Sequence, residues 1–261
     1  MIVLKTAINN RIAIPLCFIF IGAATVFAQE VKKMKFGMMA SPTLNWMKST
    51  TNGVDGVGSK VAFNYGLVTD FAISSTKPYY ISTGLMVTTT GGIVQSAGAE
   101  IYNGSLVQTI NKSDMTIRYI EIPFALKMQS SEIGYSRFTG SFGLGTGFKI
   151  AAHQTVETEY YTSTGRVNES KGKVDLSNGS QLMRLSMIIG FDWERQISGD
   201  TYLSFGLRFN NGLTNVLKGT AYVVDTNGET DLAENYGDGT PRGEDLKATS
   251  KSLSFVMGVY F

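Results

Sequence analysis

Hydrophobic and polar positions alternate along most of this chain. In "RYIEIPFALKM" (Arg118 to Met128) one column is Ile120, Ile122, Phe124, Leu126, Met128, and the other is Tyr119, Glu121, Pro123, Ala125, Lys127. A period of two marks a β-strand with two unlike faces. Eight such segments are expected: Met34 to Met47, Val61 to Ile73, Tyr79 to Thr89, Met115 to Met128, Phe138 to Ile150, Leu182 to Arg195, Thr201 to Leu213 and Leu253 to Phe261. None carries a helical period over a comparable length.

The connections sharpen this reading. Short ones (Ser74 to Pro78, Gln129 to Arg137, Gln196 to Asp200) alternate strictly with long ones (Lys48 to Lys60, Thr90 to Asp114, Ala151 to Gln181, Thr214 to Ser252). Short turns on one side, long loops on the other, and strands near the roughly 9 to 11 residues that cross a bilayer at a tilt describe an outer-membrane barrel. The apolar columns hold aromatics at both ends, Phe71, Tyr79, Phe138, Trp193 and Phe261 at the short-turn end and Trp46, Phe63, Phe148 and Phe209 at the other. Two aromatic girdles are the mark of two membrane interfaces. A soluble sandwich or lipocalin-like barrel also alternates, but it accounts for neither the loop lengths nor the aromatics. The expected fold is therefore all-β, an eight-stranded antiparallel up-and-down transmembrane β-barrel.

The N-terminus stands apart. Lys5 and Arg11 precede an apolar run from Ile12 to Phe27 that ends in Val26-Phe27-Ala28. This is the pattern of a signal peptide over residues 1–28, cut after Ala28, with the barrel domain over residues 29–261. Cys17, the one cysteine, falls inside that run, so the mature chain makes no disulfide. Taking Lys5 and Arg11 from the 23 basic residues leaves 21 against 21 acidic ones. Such a balance gives no reason to expect nucleic acid as a partner. The partners expected instead are outer-membrane lipids and lipopolysaccharide.

Charges in the mixed columns are Asp70, Glu121, Lys127, Lys149, Arg184, Asp192, Glu194 and Arg208. Eight strands enclose an interior that side chains just fill, so these charges are expected to pair as a lumen network, with Glu121 and Arg208 meeting across it. A charged ion pathway is the alternative, although so narrow an interior leaves little room for water. Pro123 must lose a ladder bond or sit at a bulge. His153 is the one histidine, and with Glu157 and Glu159 nearby it offers a rim-site hydrolase as a further alternative, but no spacing motif accompanies it and a solvated rim residue is the plain reading of it. Asp225, Asn227, Glu229 and Asp231 invite calcium, yet Thr230 and Tyr236 stand where an EF-hand loop needs Gly and Glu. Gly143, Gly145 and Gly147 alternate within a strand with no helix after them, so they are read as space for bulky neighbours such as Tyr119 and not as a phosphate loop. No enzyme activity, cofactor or metal is expected.

The ending "LSFVMGVYF", with Phe255, Met257, Val259 and the terminal Phe261 in one column, resembles the signal that outer-membrane proteins present to the barrel-assembly machinery. Together with "YIEIPFALK", "KFGMMASPTLNW" and "SFGLGTGF", it makes the chain similar to the PorT-like outer-membrane β-barrel family of Bacteroidetes-type bacteria. The resemblance rests on Tyr119-x-Glu121-x-Pro123 and the eight-strand layout. It implies a structural or assembly-linked membrane protein, with secretion-system components among its partners and binding through long external loops.

Overall fold

The structure, a computed structural model, describes residues 33–74, 77–222 and 243–261. The expected signal segment over residues 1–28 and the acidic stretch from Asp225 to Asp231 lie outside the described residues.

Eleven strands are present: β1 (Met34–Ser49), β2 (Val54–Ala72), β3 (Tyr79–Tyr102), β4 (Ser105–Gln129), β5 (Ser136–Thr162), β6 (Gly165–Asp175), β7 (Met183–Ser198), β8 (Thr201–Gly212), β9 (Thr220–Ala221), β10 (Glu244–Asp245) and β11 (Ala248–Tyr260). Each of the eight expected segments is a strand, but much of three of the expected long loops is strand as well, and β1 and β2 leave only residues 50–53 between them. β3 and β4 run on as a hairpin through most of Thr90 to Asp114, and β5 continues to Thr162 before pairing with β6. The signal for the first of these was local: Asn103-Gly104 joins Tyr102 to Ser105 with both residues at positive φ (49° and 81°), the conformation of a two-residue hairpin turn that twists with its strands.

All the main pairings are antiparallel, in the order β4-β3-β2-β1-β11-β8-β7-β5, and β5 pairs in turn with β4. Every one of these eight strands thus has a partner on both sides. One seam is split. Between β2 and β3, register pairs stop at Gly58↔Ile93 and resume at Tyr65↔Val87. Across the gap Asn64 Oδ1 accepts the Thr89 N–H at 2.7 Å, and Lys60 Nζ reaches Asp114 Oδ1 on β4 at 2.5 Å.

The prolines explain two smaller breaks. Pro123 stays paired with Gly145 on the β5 side, while on the β3 side the ladder skips from Phe124↔Thr83 to Glu121↔Met86 without a change of register. Pro123 therefore costs pairing on one side and makes no bulge, as a residue without an N–H must. The bulge in this strand pair falls higher, between Arg118 and Tyr119. Pro42 repeats the effect against β11, where pairing passes from Ala40↔Met257 to Thr43↔Ser254.

The two faces are inverted relative to a soluble protein. Phe63, Phe124, Phe142, Phe191, Leu207 and Phe255, all in apolar columns, are 45 to 61% exposed, and the opposite columns carry buried Ser, Thr, Asn and charged side chains. A chain that turns its aromatics outward and its charges inward has a nonpolar solvent on the outside.

Candidate functional site

The inward column at the short-turn end is a polar layer to which all eight ring strands contribute. Lys127 on β4 donates to Asp70 on β2 at 2.8 Å and to the Tyr260 hydroxyl on β11 at 2.9 Å. Lys35 on β1 donates to Gln129 Oε1 at 2.9 Å and lies 4.3 Å from the centre of the Tyr80 ring on β3. Gln129 and Thr139, from β4 and β5, in turn donate to Glu194 on β7 at 2.5 and 3.0 Å. Arg137, paired with Glu132 at 2.7 Å, covers the Tyr202 ring of β8 at 4.6 Å. Cross-linking of this kind is the condition under which buried charge is tolerated, although Asp70 keeps one oxygen, Oδ1, without a hydrogen bond.

The middle layer places the expected residues differently. Glu121 pairs with Arg184 at 2.5 Å, both 4% exposed, and not with Arg208. Arg184 also donates to Ser250 Oγ at 3.3 Å and sits 5.3 Å from the Tyr119 ring. Arg208 turns instead toward Met39 Sδ at 3.9 Å. Glu121, Pro123 and Arg208 line one cavity of about 30 Å³, together with Asn64, Asn210 and Ser254. Asp192 is buried beside Gly206, and among the described residues neither Asp192 nor Arg208 makes an ion pair. Lys149 leaves the interior network altogether, donating to the carbonyls of Ser177 and Ser180 at 2.5 and 2.7 Å and so fastening the chain that follows β6.

Two glycines show why this interior needs small residues. A Cβ on Gly145 would lie 2.8 Å from Glu121 Oε1, and one on Gly147 would lie 3.2 Å from Tyr119 Cβ. The alternating glycines of β5 thus make room for Glu121 and Tyr119 of β4.

Above the ion pair the interior turns apolar. Met47, Ile117, Tyr119, Ala152 and Ala248 form a buried cluster with Leu176, Val216 and Leu217, which come from connections outside the eight ring strands. Backbone bonds from Gln181 N to the Val216 carbonyl and from Val216 N to the Ala248 carbonyl, both 2.9 Å, hold this cap in place. Beside it lies a pocket of about 140 Å³ bordered by Val54, Val94, Met115, Leu217, Tyr222 and Leu246, among others.

Beyond the cap the hairpins are held as one sheet. Asn111 Oδ1 accepts from Thr158 at 2.7 Å, and the Tyr160 hydroxyl donates to Glu100 at 3.1 Å beneath the Tyr102 ring. Burial and the neighbouring Glu100 carboxylate push the Tyr160 hydroxyl up to about 12, so it remains a donor at any physiological pH. His153 lies on the outer face, opposite Thr116 and Asp175, and partial burial with the charges of Lys173, Lys60 and Arg118 holds its pKa below the usual value. Of the carboxylates near it in sequence, Glu159 pairs with Arg166 at 3.2 Å and Glu157 stands opposite Lys112 and Ser170.

Sequence reasoning missed Lys35, Gln129 and Tyr260. Each lies in an inward column and was legible from the same alternation, at strand ends where the period is least certain.

The family model for the outer membrane protein beta-barrel domain matches residues 27–218. The chain belongs to this outer-membrane β-barrel family. Its place is the outer membrane. None of the curated proteins matches the chain. Among solved structures it is similar to outer membrane protein OprG of Pseudomonas aeruginosa (10% identity, 90% of this chain and 99% of that one, TM-score 0.42). It is likewise similar to neisserial surface protein A (10% identity, 86% and 95%, TM-score 0.38). A third similar structure is the outer membrane protease OmpT of Escherichia coli (11% identity, 87% and 96%, TM-score 0.37). At such identities and scores no function passes from these proteins to this outer-membrane barrel chain.

Proposed function

We propose that the eight strands close into a transmembrane barrel that conducts nothing and catalyses nothing, and that its work is done outside the membrane by the β3–β4 and β5–β6 hairpins. The observation that carries this reading is the filled interior: a cross-linked polar layer, the buried Glu121–Arg184 pair and an apolar cap succeed one another along its length. Hairpins held to each other by Thr158–Asn111 and Tyr160–Glu100 offer a rigid surface for a partner.

The resemblance to PorT-like proteins points the same way, toward a structural role linked to assembly or secretion. The partners that follow are lipopolysaccharide around the barrel, secretion-system components at the hairpins and, during biogenesis, the barrel-assembly machinery, which would read Phe255, Met257, Val259 and Phe261 on the outward face of the last strand.

Planar-bilayer recording tests the central claim. Purified protein is expected to give no sustained conductance steps; steady, ion-selective openings would replace this reading with a small pore. A buried network of this kind has no continuous water path for ions to follow.

A further inference from the structure

We infer that Arg118, His153 and Lys173 form a site on the outer wall for the phosphate groups of lipid A, the glycolipid of the outer leaflet. The inference rests on the reading of the chain as an outer-membrane barrel and adds a defined lipid contact to it.

Height and direction come from the register. Arg118 lies between Ile117 and Tyr119, both fully buried, so its exposed guanidinium points away from the interior. It pairs with Ala151, just above Phe148 and Ile150, the last large apolar residues of the outward column of β5. His153 stands one step higher on the same face, and Lys173 of β6 follows opposite Thr155. An upper aromatic girdle marks the edge of the hydrocarbon, so groups one to two steps above it sit among lipid headgroups.

The carboxylates nearby are already engaged elsewhere. Asp114, the nearest carboxylate of β4, is taken by Lys60 at 2.5 Å. Asp175, opposite His153, is turned into bonds with Ser177 N and Oγ at 3.1 and 2.7 Å. Among the described residues neither Arg118 nor Lys173 has an ion-pair partner. Their closeness is also seen at His153, whose proton both of them disfavour. Two cations without an ion-pair partner and an imidazole, set above exposed Ile122 and Phe148, match an amphiphile with anionic oxygens above acyl chains.

The test uses the full chain refolded in neutral detergent and titrated with bis-phosphorylated lipid A, dephosphorylated lipid A and inorganic phosphate. The bis-phosphorylated form is expected to bind roughly tenfold or more tightly than the dephosphorylated form, and Arg118→Ser with Lys173→Ser is expected to erase that difference. Arg195→Ser, an exposed cation at the opposite end, is expected to leave it unchanged. Because His153 is the one histidine, its imidazole resonance is a reporter, expected to titrate at higher pH when the phosphates are bound. Equal binding of the two lipid forms, an unaffected double variant, or saturation by inorganic phosphate at the same concentration would overturn the site. Loss of the mobility difference between boiled and unboiled wild-type protein on a gel would instead sink the barrel reading beneath it.

Discussion

Glu121 and Arg184 meet at 2.5 Å with 4% of either side chain exposed, and the geometry makes removal of one partner costlier than removal of both. A lone buried charge loses its counter-charge and keeps its desolvation, a penalty of about 3 to 5 kcal/mol. Glu121→Ala is therefore expected to lower the urea midpoint of the folded barrel strongly, while Glu121→Leu with Arg184→Met is expected to recover much of the loss. Equal destabilisation by single and double variants would deny the pair its role. At the outer rim, His153 carries a depressed pKa because burial and the cations of Lys173, Lys60 and Arg118 oppose its protonation. A depressed histidine favours the folded state when neutral, so its contribution is lost as pH falls through the ordinary value near 6.5 and toward the folded one. In NMR the wild-type imidazole is expected to titrate below that ordinary value, and Arg118→Ser to move it upward.

Among the elements, the β2–β3 seam differs from its neighbours. Ser59 to Asn64 keep their register with β1, and Thr88 to Gly92 keep theirs with β4, yet the two segments do not pair with each other. Amides that face an unpaired seam lack the ladder bond that slows exchange. Hydrogen exchange is accordingly expected to be faster in these two segments than in Gly66 to Phe71, which pair with both β1 and β3, except at Thr89, whose N–H is held by Asn64. Asn64→Ala is expected to release Thr89 as well; uniform protection across the seam would contradict the split. Asn103-Gly104 lay in full view, but a stretch rich in Ser, Gly and Asn reads as loop when its turn is not weighed first.

For the whole molecule, the order and orientation of the ring strands were legible from residues alone. Alternation set which side chains share a face, and loop lengths set which ends lie together, because both are local properties of a two-residue period and a short turn. Partner choice inside was not. The depth of Arg184 relative to Glu121 depends on the stagger between β4, β5 and β7, and Lys149 was drawn out of the interior by carbonyls of a connection whose path no period encodes. Arg208 lines the cavity that Glu121 also lines, and the stagger leaves the two without an ion pair between them.

By itself, then, the sequence determined that this chain is a largely antiparallel sheet with one apolar and one polar face. The tertiary structure alone decided which charges pair, that Leu176, Val216 and Leu217 cap the interior, and that one seam of the wall is split. The physical reason is one of range. Facing is settled between adjacent residues, whereas pairing depth and the cap arise from strands and connections far apart in sequence, brought together only when the ring of pairings forms.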